Sequence, residues 1–297
     1  MTVPIIKDSS GLNTVADPFQ PQSKKDLAEA VNVRITDSNR IERVGGLTSL
    51  FDLTAGHSLF CDGGACLVHD AGSMYEVAAD LTLSAAKRTG MSGDLIDHTQ
   101  YGDAIYYGNR SENGVYYGGS HLAWALDTYT GPTTARYFET SVPLFDHIAT
   151  FNGYMLGSID NALFASELGK PGLWEMKPVW MSNSKIIMIR PVEAGVFVSD
   201  LSRQFFLRGV EPVQFVEEKK ATYLAREWSA AHSLADASEF LPEASGLAAG
   251  WISRKGQCIG TADGQFINIT EKRIALPNEG TLGASLFYKT NFISTLR

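Results

Sequence analysis

Cysteine is scarce in this chain of 297 residues, which contains only Cys61, Cys66 and Cys258. A small and odd number of cysteines excludes the disulfide framework that holds small secreted domains together. Cys61 and Cys66 lie near His69 in the sequence, and thiolates with imidazole are the usual ligands of zinc. Residues three apart on a strand point to opposite faces, so Cys66 and His69 do not face one metal ion. We interpret the cysteines as core residues.

Long apolar runs are also lacking. The first thirty residues contain no apolar stretch of signal-peptide length, and no later segment approaches the roughly 18 apolar residues of a membrane span. We therefore expect a protein without a membrane span. It would be made and kept in a cytosol-like compartment, or exported only as part of a larger assembly.

Positive charge is in the minority and scattered. Lys and Arg total 25 against 33 Asp and Glu, which gives a formal net charge of −8. The positive residues form no evident basic face of the kind that binds nucleic-acid phosphates through counterion release. An acidic surface instead suits a protein past which nucleic acid slides without sticking, because like charges repel at short range.

The short motifs that mark common enzyme classes are missing. There is no GxSxG nucleophile elbow, no GxxxxGK[ST] phosphate loop and no GxGxxG after a predicted strand. The six histidines form no HxH or HExxH pattern. We therefore predict no enzymatic activity, no catalytic residue, no metal site and no cofactor.

The sequence does contain a repeat, seen most clearly in FNGYMLGSIDNALFAS at 151–166. An apolar strand, a turn with Gly, a second strand, a turn rich in Asp, Asn, Gly or Ser, and a third strand recur in five segments. The turn glycines are separated by 38, 51, 42 and 61 residues; they are Gly64, Gly102, Gly153, Gly195 and Gly256. A period of about 40 to 50 residues, with a fourth strand after each third one, is typical of propeller blades.

The two ends of the chain decide the predicted number of blades. The N-terminal AVNVRITDSNRIERVGG supplies a hairpin, and the C-terminal GASLFYKTNFISTLR supplies at most two strands. A composite blade built from both would hide sheet edges that an open array exposes. We therefore predict an all-β, six-bladed β-propeller over residues 31–297, closed by this composite blade and preceded by an extended arm at 1–30. Five blades with a separate terminal hairpin is the alternative.

One segment departs from the strand pattern. In residues 224–241, four apolar side chains recur near helical spacing among good helix formers; they are Leu224, Trp228, Leu234 and Leu241. We predict a short helical insertion here.

Four aspartates recur at the second turn of the repeats: Asp70, Asp160, Asp200 and Asp263. A ring of acids at one mouth of a propeller would suit a glycoside hydrolase, which uses a carboxylate pair. Asp at a hairpin turn also bonds its own backbone two residues on, and this explains all four positions without further assumptions. A propeller glycoside hydrolase, or a carbohydrate-binding protein for host-surface recognition, is the alternative function.

Tryptophan and methionine cluster in GLWEMKPVWMSNSK at 172–185. Both residue types are enriched at protein interfaces, and Pro171 and Pro178 favour an edge or a loop. Trp174 and Trp180 are therefore candidate interface residues. Packing on the neighbouring blade is the other interpretation.

Residues 11–46, GLNTVADPFQPQSKKDLAEAVNVRITDSNRIERVGG, resemble the opening of bacteriophage tail structural proteins. In these, a GLN...DP segment precedes EA.NV and a basic hairpin ending in R..GG. The segment is most similar to the nozzle, or packaged-DNA stabilisation, proteins of short-tailed phages and to propeller-bearing tail hub proteins. The chain is shorter than a typical nozzle protein and shows no extra tip domain, so nozzle, adaptor and hub roles all stay open.

The resemblance implies a structural protein of the virion tail, assembled in the cytoplasm of the bacterial host. It implies a homo-oligomeric ring that binds other tail, portal or adaptor proteins. The ring would contribute to the channel for genome ejection, with transient passage of DNA and no specific DNA binding. A ring subunit needs lateral contacts that close under rotation and no catalytic residues.

Positive charge is concentrated near the arm, with Lys24 and Lys25 inside it and Arg34, Arg40 and Arg43 shortly after it. The rest of the chain is acidic. We expect these five interface candidates to dock the arm onto an acidic neighbour, because opposite charges attract at short range.

Overall fold

The hairpin turns form where the repeat predicts them, and their backbone explains the residues used. Asn152 and Gly153 join two strands with φ values of 47° and 81°, both in the left-handed region. Type I′ turns, which match the twist of the strands, require positive φ at both central residues, and Asn and Gly tolerate this best. Gly102 has a φ of 59° at the corresponding turn of the preceding repeat. Local sequence is therefore sufficient to specify these hairpins.

The structure is a computed structural model. It describes residues 11–12, 26–27, 33–35, 41–43, 51–62, 64–129, 136–232, 234–239, 243–271, 282–288 and 291–296. Within these residues no helix has the length and apolar character needed to cross a membrane.

Two pairs of short strands precede the main body. Strand β1 (Gly11–Leu12) pairs in parallel with β2 (Asp26–Leu27). Strand β3 (Val33–Ile35) pairs antiparallel with β4 (Ile41–Arg43).

Five sheets follow one another along the chain in the manner of propeller blades. The first has three strands: β5 (His57–Asp62), β6 (Ala65–Asp70) and β7 (Ser73–Val77). The second has four: β8 (Asp97–Tyr101), β9 (Ala104–Gly108), β10 (Asn113–Tyr117) and β11 (Ser120–Leu122). The third has five: β12 (His147–Phe151), β13 (Tyr154–Ile159), β14 (Ala162–Glu167), β15 (Lys170–Trp174) and β16 (Trp180–Met181).

The fourth and fifth sheets have four strands each. The fourth contains β17 (Ile186–Val192), β18 (Gly195–Asp200), β19 (Gln204–Arg208) and β20 (Val216–Ala221). The fifth contains β21 (Ala235–Asp236), β22 (Leu247–Ser253), β23 (Gly256–Gly260) and β24 (Phe266–Asn268). A terminal hairpin, β25 (Gly283–Tyr288) with β26 (Asn291–Leu296), follows. The helices of the described residues are two 3-10 turns, Pro212–Gln214 and Ala237–Glu239.

Five inner strands lie around a common axis: β5, β8, β12, β17 and β22. From β5 to β22, each contacts the inner strand of the next sheet. The hydrophobic core lies in layers between consecutive sheets, because each sheet buries an apolar face on its neighbour. One layer, for example, packs Phe151 and Leu156 of the third sheet against Ile189 and Val196 of the fourth. The described body is an all-β, five-bladed propeller arrangement with almost no helix.

The predicted six-blade count and its composite closure are not supported. Strands β25 and β26 pair with each other, and β3 and β4 do likewise, so no described ladder joins the two ends of the chain. Phe287 and Phe292 of the hairpin pack against Gly250 of β22. A largely apolar cavity of about 700 Å³ lies between the hairpin and the first sheet. Each hairpin forms its own ladder locally, and the residue pattern does not encode the long-range pairing of a shared blade.

The predicted helical insertion at 224–241 is wrong for the part of this segment that the structure describes. That part consists of isolated bridges, bends and a turn over residues 224–232, followed by strand β21 and the 3-10 turn at Ala237–Glu239. Helix propensity is a weak prior, and tertiary contacts override it. Here the N–H groups of Arg226 and Ala231 bond to β22, while that of Ser229 bonds to the carbonyl of Arg226 in a single turn.

Candidate functional site

The axis of the propeller is filled by the chain's own backbone. Residues 222–232, called the axial connector below, lead from β20 towards β21. The N–H of Arg226 donates to the carbonyl of Ile252 at 2.8 Å, and the N–H of Ala231 donates to that of Gly250 at 2.9 Å. The connector therefore runs beside β22, with a turn at Trp228 in which the N–H of Ser229 donates to the carbonyl of Arg226 at 3.2 Å.

Three connector residues also reach the inner strands of the other four sheets. The ring of His232 contacts the rings of Phe60 in β5 and His98 in β8, and the indole of Trp228 contacts the ring of His147 in β12. The carbonyl of Ala230 accepts from the guanidinium of Arg190 in β17. A segment that contacts all five inner strands lies on the axis. The propeller body therefore contains a plug at its centre.

A buried carboxylate, Asp97, connects this plug to the surrounding sheets. Asp97 is 1% exposed, and its Oδ2 accepts from the N–H of Ile148 at 3.3 Å and lies 3.3 Å from His147 Nδ1. Its Oδ1 is 3.7 Å from Arg190 Nη2 and 4.0 Å from His232 Nδ1. Burial alone would raise the pKa of Asp97, but Arg190 and His147 hold it well below its usual range. Asp97 is therefore a buried anion shared by three sheets and the connector.

His147 lies between two carboxylates. Its Nδ1 faces Asp97, while its Nε2 makes no hydrogen bond and lies 3.8 Å from Glu227 Oε1. Burial alone would lower the pKa of His147, but Asp97 and Glu227 raise it above the ordinary value. The ring thus has one nitrogen held by Asp97 and one that points towards Glu227.

Three further histidines, His69, His98 and His232, are grouped near the axis. His69 Nε2 and His98 Nε2 are 3.0 Å apart, so one donates a hydrogen bond to the other. Burial lowers the pKa of His69 to about 3 and that of His98 well below 6.5. Burial and the charge of Arg190 lower the pKa of His232 to about 4. These axial histidines are neutral at pH 7.

A cleft of about 330 Å³ opens where the inner strands begin. It is lined by Asp94, Leu95, Asn109, Arg110, Ser111, Asp146, Lys185, Glu227 and Trp228. Lys185 Nζ lies 3.4 Å from Asp146 Oδ1 and 3.6 Å from Glu227 Oε1. Burial would lower the pKa of Lys185, but the two carboxylates raise it. His147 and Lys185 hold the pKa of Glu227 below its usual range. The charges of the cleft floor are thus compensated within the chain.

Trp228 stands at the edge of this cleft in a strained conformation. Its φ is 62°, in the left-handed region that bulky residues avoid. The cost for a non-glycine residue is roughly 1–2 kcal/mol. Strain of this kind is concentrated at functional sites. The half-buried indole contacts the ring of His147, with centroids 4.6 Å apart.

Of the predicted interface tryptophans, Trp174 lies in the core. It is fully buried beside Trp124 and Phe145, and its Nε1 donates to the carbonyl of Pro171 at 2.8 Å. Trp174 therefore packs between sheets, which was the other interpretation of its pattern. Trp180 is half-buried and donates to a carboxylate oxygen of Glu217 at 3.0 Å; its interface role stays a prediction.

The basic interface candidates near the arm stay predictions as well. Lys24, Lys25 and Arg40 lie outside the described residues. Arg34 and Arg43 belong to β3 and β4, whose side chains lie outside the described part of the structure.

Two of the four turn aspartates, Asp200 and Asp263, bond within their own turns as predicted, whereas Asp70 Oδ1 accepts from the N–H of Ala55 at 2.6 Å and the carboxylate of Asp160 lies 4.0 Å from Arg110. Asp200 Oδ1 accepts from the N–H groups of Ser202 and Arg203 at 2.7 and 2.8 Å. Asp263 Oδ1 accepts from the hydroxyl of Thr261 at 2.5 Å. These carboxylates stabilise hairpin turns.

The interpretation of the cysteines as buried or half-buried core residues fits Cys258 and the half-buried Cys66, whereas Cys61 is exposed. Cys61 and Cys66 are directly opposite on β5 and β6 and form a disulfide with Cα atoms 4.1 Å apart. Cys258 is buried, which raises the pKa of its thiol to about 12. No group of three or more His, Cys, Asp or Glu suited to a metal ion occurs in the described parts of the chain.

Asp97 and His147 were not predicted as site residues from the sequence, although the sequence contains a signal for them. Asp97 and His147 each stand four residues before the last residue of an inner strand, Tyr101 and Phe151. They therefore occupy equivalent positions of consecutive blades, and polar residues at inner-strand positions meet at the axis. The axial connector, which contains Trp228, lies outside the repeat and carries no such signal.

No protein-family model matches the chain, and no curated protein matches its sequence. Three solved structures with similarity to the chain are all distant from it. PorZ, a bacterial surface component of the type-IX secretion system of Porphyromonas gingivalis, is 11% identical with a TM-score of 0.44 over 84% of this chain and 30% of its own. The extracellular domain of a hybrid two-component system from B. thetaiotaomicron is 12% identical with a TM-score of 0.43, over 79% of this chain and 28% of its own. The calcium-binding protein regucalcin from Agrobacterium tumefaciens is 9% identical with a TM-score of 0.44, over 82% of this chain and 81% of its own. The chain thus spans less than a third of the length of the first two proteins.

Proposed function

We propose that the protein is a non-enzymatic structural subunit of a bacteriophage tail that assembles into a homo-oligomeric ring. The ring serves as a nozzle, adaptor or hub and contributes to the channel for genome ejection. Residues 11–46 resemble the opening of tail proteins, which supports this function. The main structural support is the axial connector, because it closes the centre of the propeller.

A solid body determines where a channel can lie. The axial connector contacts all five inner strands, so DNA cannot pass along the axis of a single propeller. In a ring, the channel lies between copies and is lined by their outer surfaces. With a net charge of −8 per chain, these surfaces repel the phosphate backbone at short range.

The charge state of the axial carboxylates favours a structural role over glycoside hydrolysis. A hydrolase of this kind needs one carboxylic acid with a raised pKa as proton donor. The pKa of Asp97 and that of Glu227 are both lowered, by partners that stay within the chain. Asp146 and Glu227 share the ammonium group of Lys185. Asp97, Asp146 and Glu227 are therefore members of ion pairs within the chain.

The experiment is a mass measurement on the purified full-length chain, followed by cryo-electron microscopy of particles of the phage that carries its gene. We expect a discrete oligomer in solution or on the particle, with density for the five-bladed body in a ring on the tail axis. A chain that is monomeric in both settings would refute the ring. A ring found outside a virion would refute the tail role alone.

The N-terminal arm provides a second test of the same proposal. Deleting residues 1–30 removes Lys24 and Lys25, which we expect to dock the arm onto an acidic neighbour. Incorporation into particles should fall while the thermal stability of the body stays unchanged. The matched control replaces both lysines with glutamine and leaves the rest of the arm in place. Unchanged incorporation of the deletion variant would contradict the docking role of the arm.

A further inference from the structure

The cleft at the axial mouth has properties that a solid structural body does not require. It combines a half-buried indole, Trp228, with side chains that donate and accept hydrogen bonds. Its volume of about 330 Å³ falls in the range of small-molecule sites, about 300–1,000 Å³. An aromatic surface with a few convergent polar groups is the usual composition of such sites.

Two neighbouring features of the floor and edge indicate a ligand. His147 is 3% exposed, and its Nε2 makes no hydrogen bond while pointing towards Glu227 of the cleft. Buried polar atoms are normally hydrogen-bonded, and this Nε2 has only the 3.8 Å ion-pair contact with Glu227, so its hydrogen-bonding position stays open beside the cleft. Trp228, in turn, is held in the left-handed region with its indole at the cleft edge.

The charges of the cleft narrow the class of ligand. The ammonium of Lys185 already lies beside Asp146 and Glu227. A charged ligand would have to compete with these ion pairs and leave one member unpaired, which is costly in a partly buried site. A neutral ligand with several hydroxyl groups avoids this cost, because each hydroxyl donates to a carboxylate and accepts from an ammonium.

The indole of Trp228 favours a ligand that also has an apolar face. A pyranose ring presents C–H groups on one face and hydroxyls around its edge. The C–H face suits the amphipathic indole of Trp228, and Glu227 and Lys185 of the same cleft offer an acceptor and a donor to the hydroxyls. We propose that the axial cleft binds a neutral sugar unit, stacked on Trp228 and hydrogen-bonded to Glu227 and Lys185.

This inference rests on the cleft and goes beyond the tail function, so each can fail without the other. The test measures binding to the full-length protein by calorimetry and saturation-transfer NMR. The probes are D-glucose, D-galactose and N-acetyl-D-glucosamine, with L-lysine and glycine as charged and zwitterionic counterparts. We expect a saturable Kd of about 1–10 mM for at least one of the three sugars, in the range of weak specific binding.

Trp228→Gly is the decisive variant. Glycine adopts positive φ without strain, so the variant should keep the thermal unfolding temperature close to that of the wild type while sugar binding weakens at least tenfold. Glu227→Gln keeps the shape of the side chain and should weaken binding as well, which provides a second measurement if Trp228→Gly does not fold. Trp180→Phe, at a half-buried tryptophan far along the chain, is the matched control and should leave binding unchanged.

The remaining outcomes overturn the proposal. If none of the three sugars binds with saturation up to 10-fold above the expected upper Kd, about 100 mM, the cleft is not a sugar site. Binding of L-lysine or glycine without sugar binding assigns the cleft to charged ligands and refutes the neutral class. Sugar binding that persists in both Trp228→Gly and Glu227→Gln places the sugar elsewhere on the protein.

Discussion

Removing the carboxylate of Asp97 should destabilise the whole propeller. Asp97 is 1% exposed and is the anion shared by Arg190 and His147, whose own side chains are 11% and 4% exposed. In Asp97→Ala, Arg190 remains buried without this counter-charge, His147 keeps only its 3.8 Å contact with Glu227, and the N–H of Ile148 loses its acceptor. Breaking a buried ion pair on one side costs about 3–5 kcal/mol.

The assay is urea or thermal unfolding of the purified full-length variants at pH 7. With roughly 2–4 °C per kcal/mol for a domain of 150–250 residues, we expect Asp97→Ala to lower the midpoint by about 10 °C. Asp97→Asn keeps the size of the side chain and one acceptor oxygen, so we expect it to fall between the wild type and Asp97→Ala. It also provides a measurement if Asp97→Ala does not fold.

The matched control is Asp103, an exposed carboxylate at the turn that follows β8. Asp103→Ala should change the unfolding free energy by less than about 0.5 kcal/mol, as is usual for surface positions. If Asp97→Ala and Asp97→Asn cost no more than Asp103→Ala, Asp97 does not join the sheets at the axis, and the reasoning about the axial network is refuted.

The other predictions concern pH and the buried tryptophan. The axial histidines His69, His98 and His232 have folded-state pKa values below 6.5, so the unfolded chain binds more protons below that pH, and stability should fall as pH decreases from 7 to 4. His232→Gln should flatten this urea-unfolding profile by up to about 1.4 kcal/mol per pH unit; an unchanged slope would show that His232 does not titrate as an axial histidine. His147 acts in the opposite direction, because its raised pKa adds stability that is lost as pH rises above 6.5 through the folded-state value. His147→Gln should therefore reduce the loss of stability above pH 6.5, and the wild-type slope in the variant would contradict this. Trp174→Ala should cost about 3–5 kcal/mol in urea unfolding as a large-to-small core change, whereas Trp180→Ala should cost clearly less; equal costs would contradict the different burial of the two side chains.

The local layout of the propeller could be predicted because its signals are local. Alternating apolar residues, turn glycines such as Gly102 and Gly153, and the spacing of the repeats indicate hairpins and blades through the backbone preferences of a few residues. The role of Asp200 and Asp263 in their turns follows from the same short-range chemistry.

The number of blades and the path of residues 224–241 could not be predicted in this way. Both depend on pairing between segments distant in sequence, which local propensity does not encode. The apolar spacing of Leu224, Trp228 and Leu234 suits a helix equally well. In the structure the segment bonds to β22, because the axis offers it unpaired backbone groups and buried side chains to contact.

The hairpins, the repeat and the all-β class follow from short-range sequence signals, because turns and strands depend on neighbouring residues. The tertiary structure alone decided that Trp174 is buried, that the axis is plugged, and that Asp97, His147 and Arg190 form one network. These residues come from different blades and meet only when the sheets are arranged around an axis. The candidate site at Trp228 belongs to this second group, since the connector acquires its position from contacts with all five inner strands.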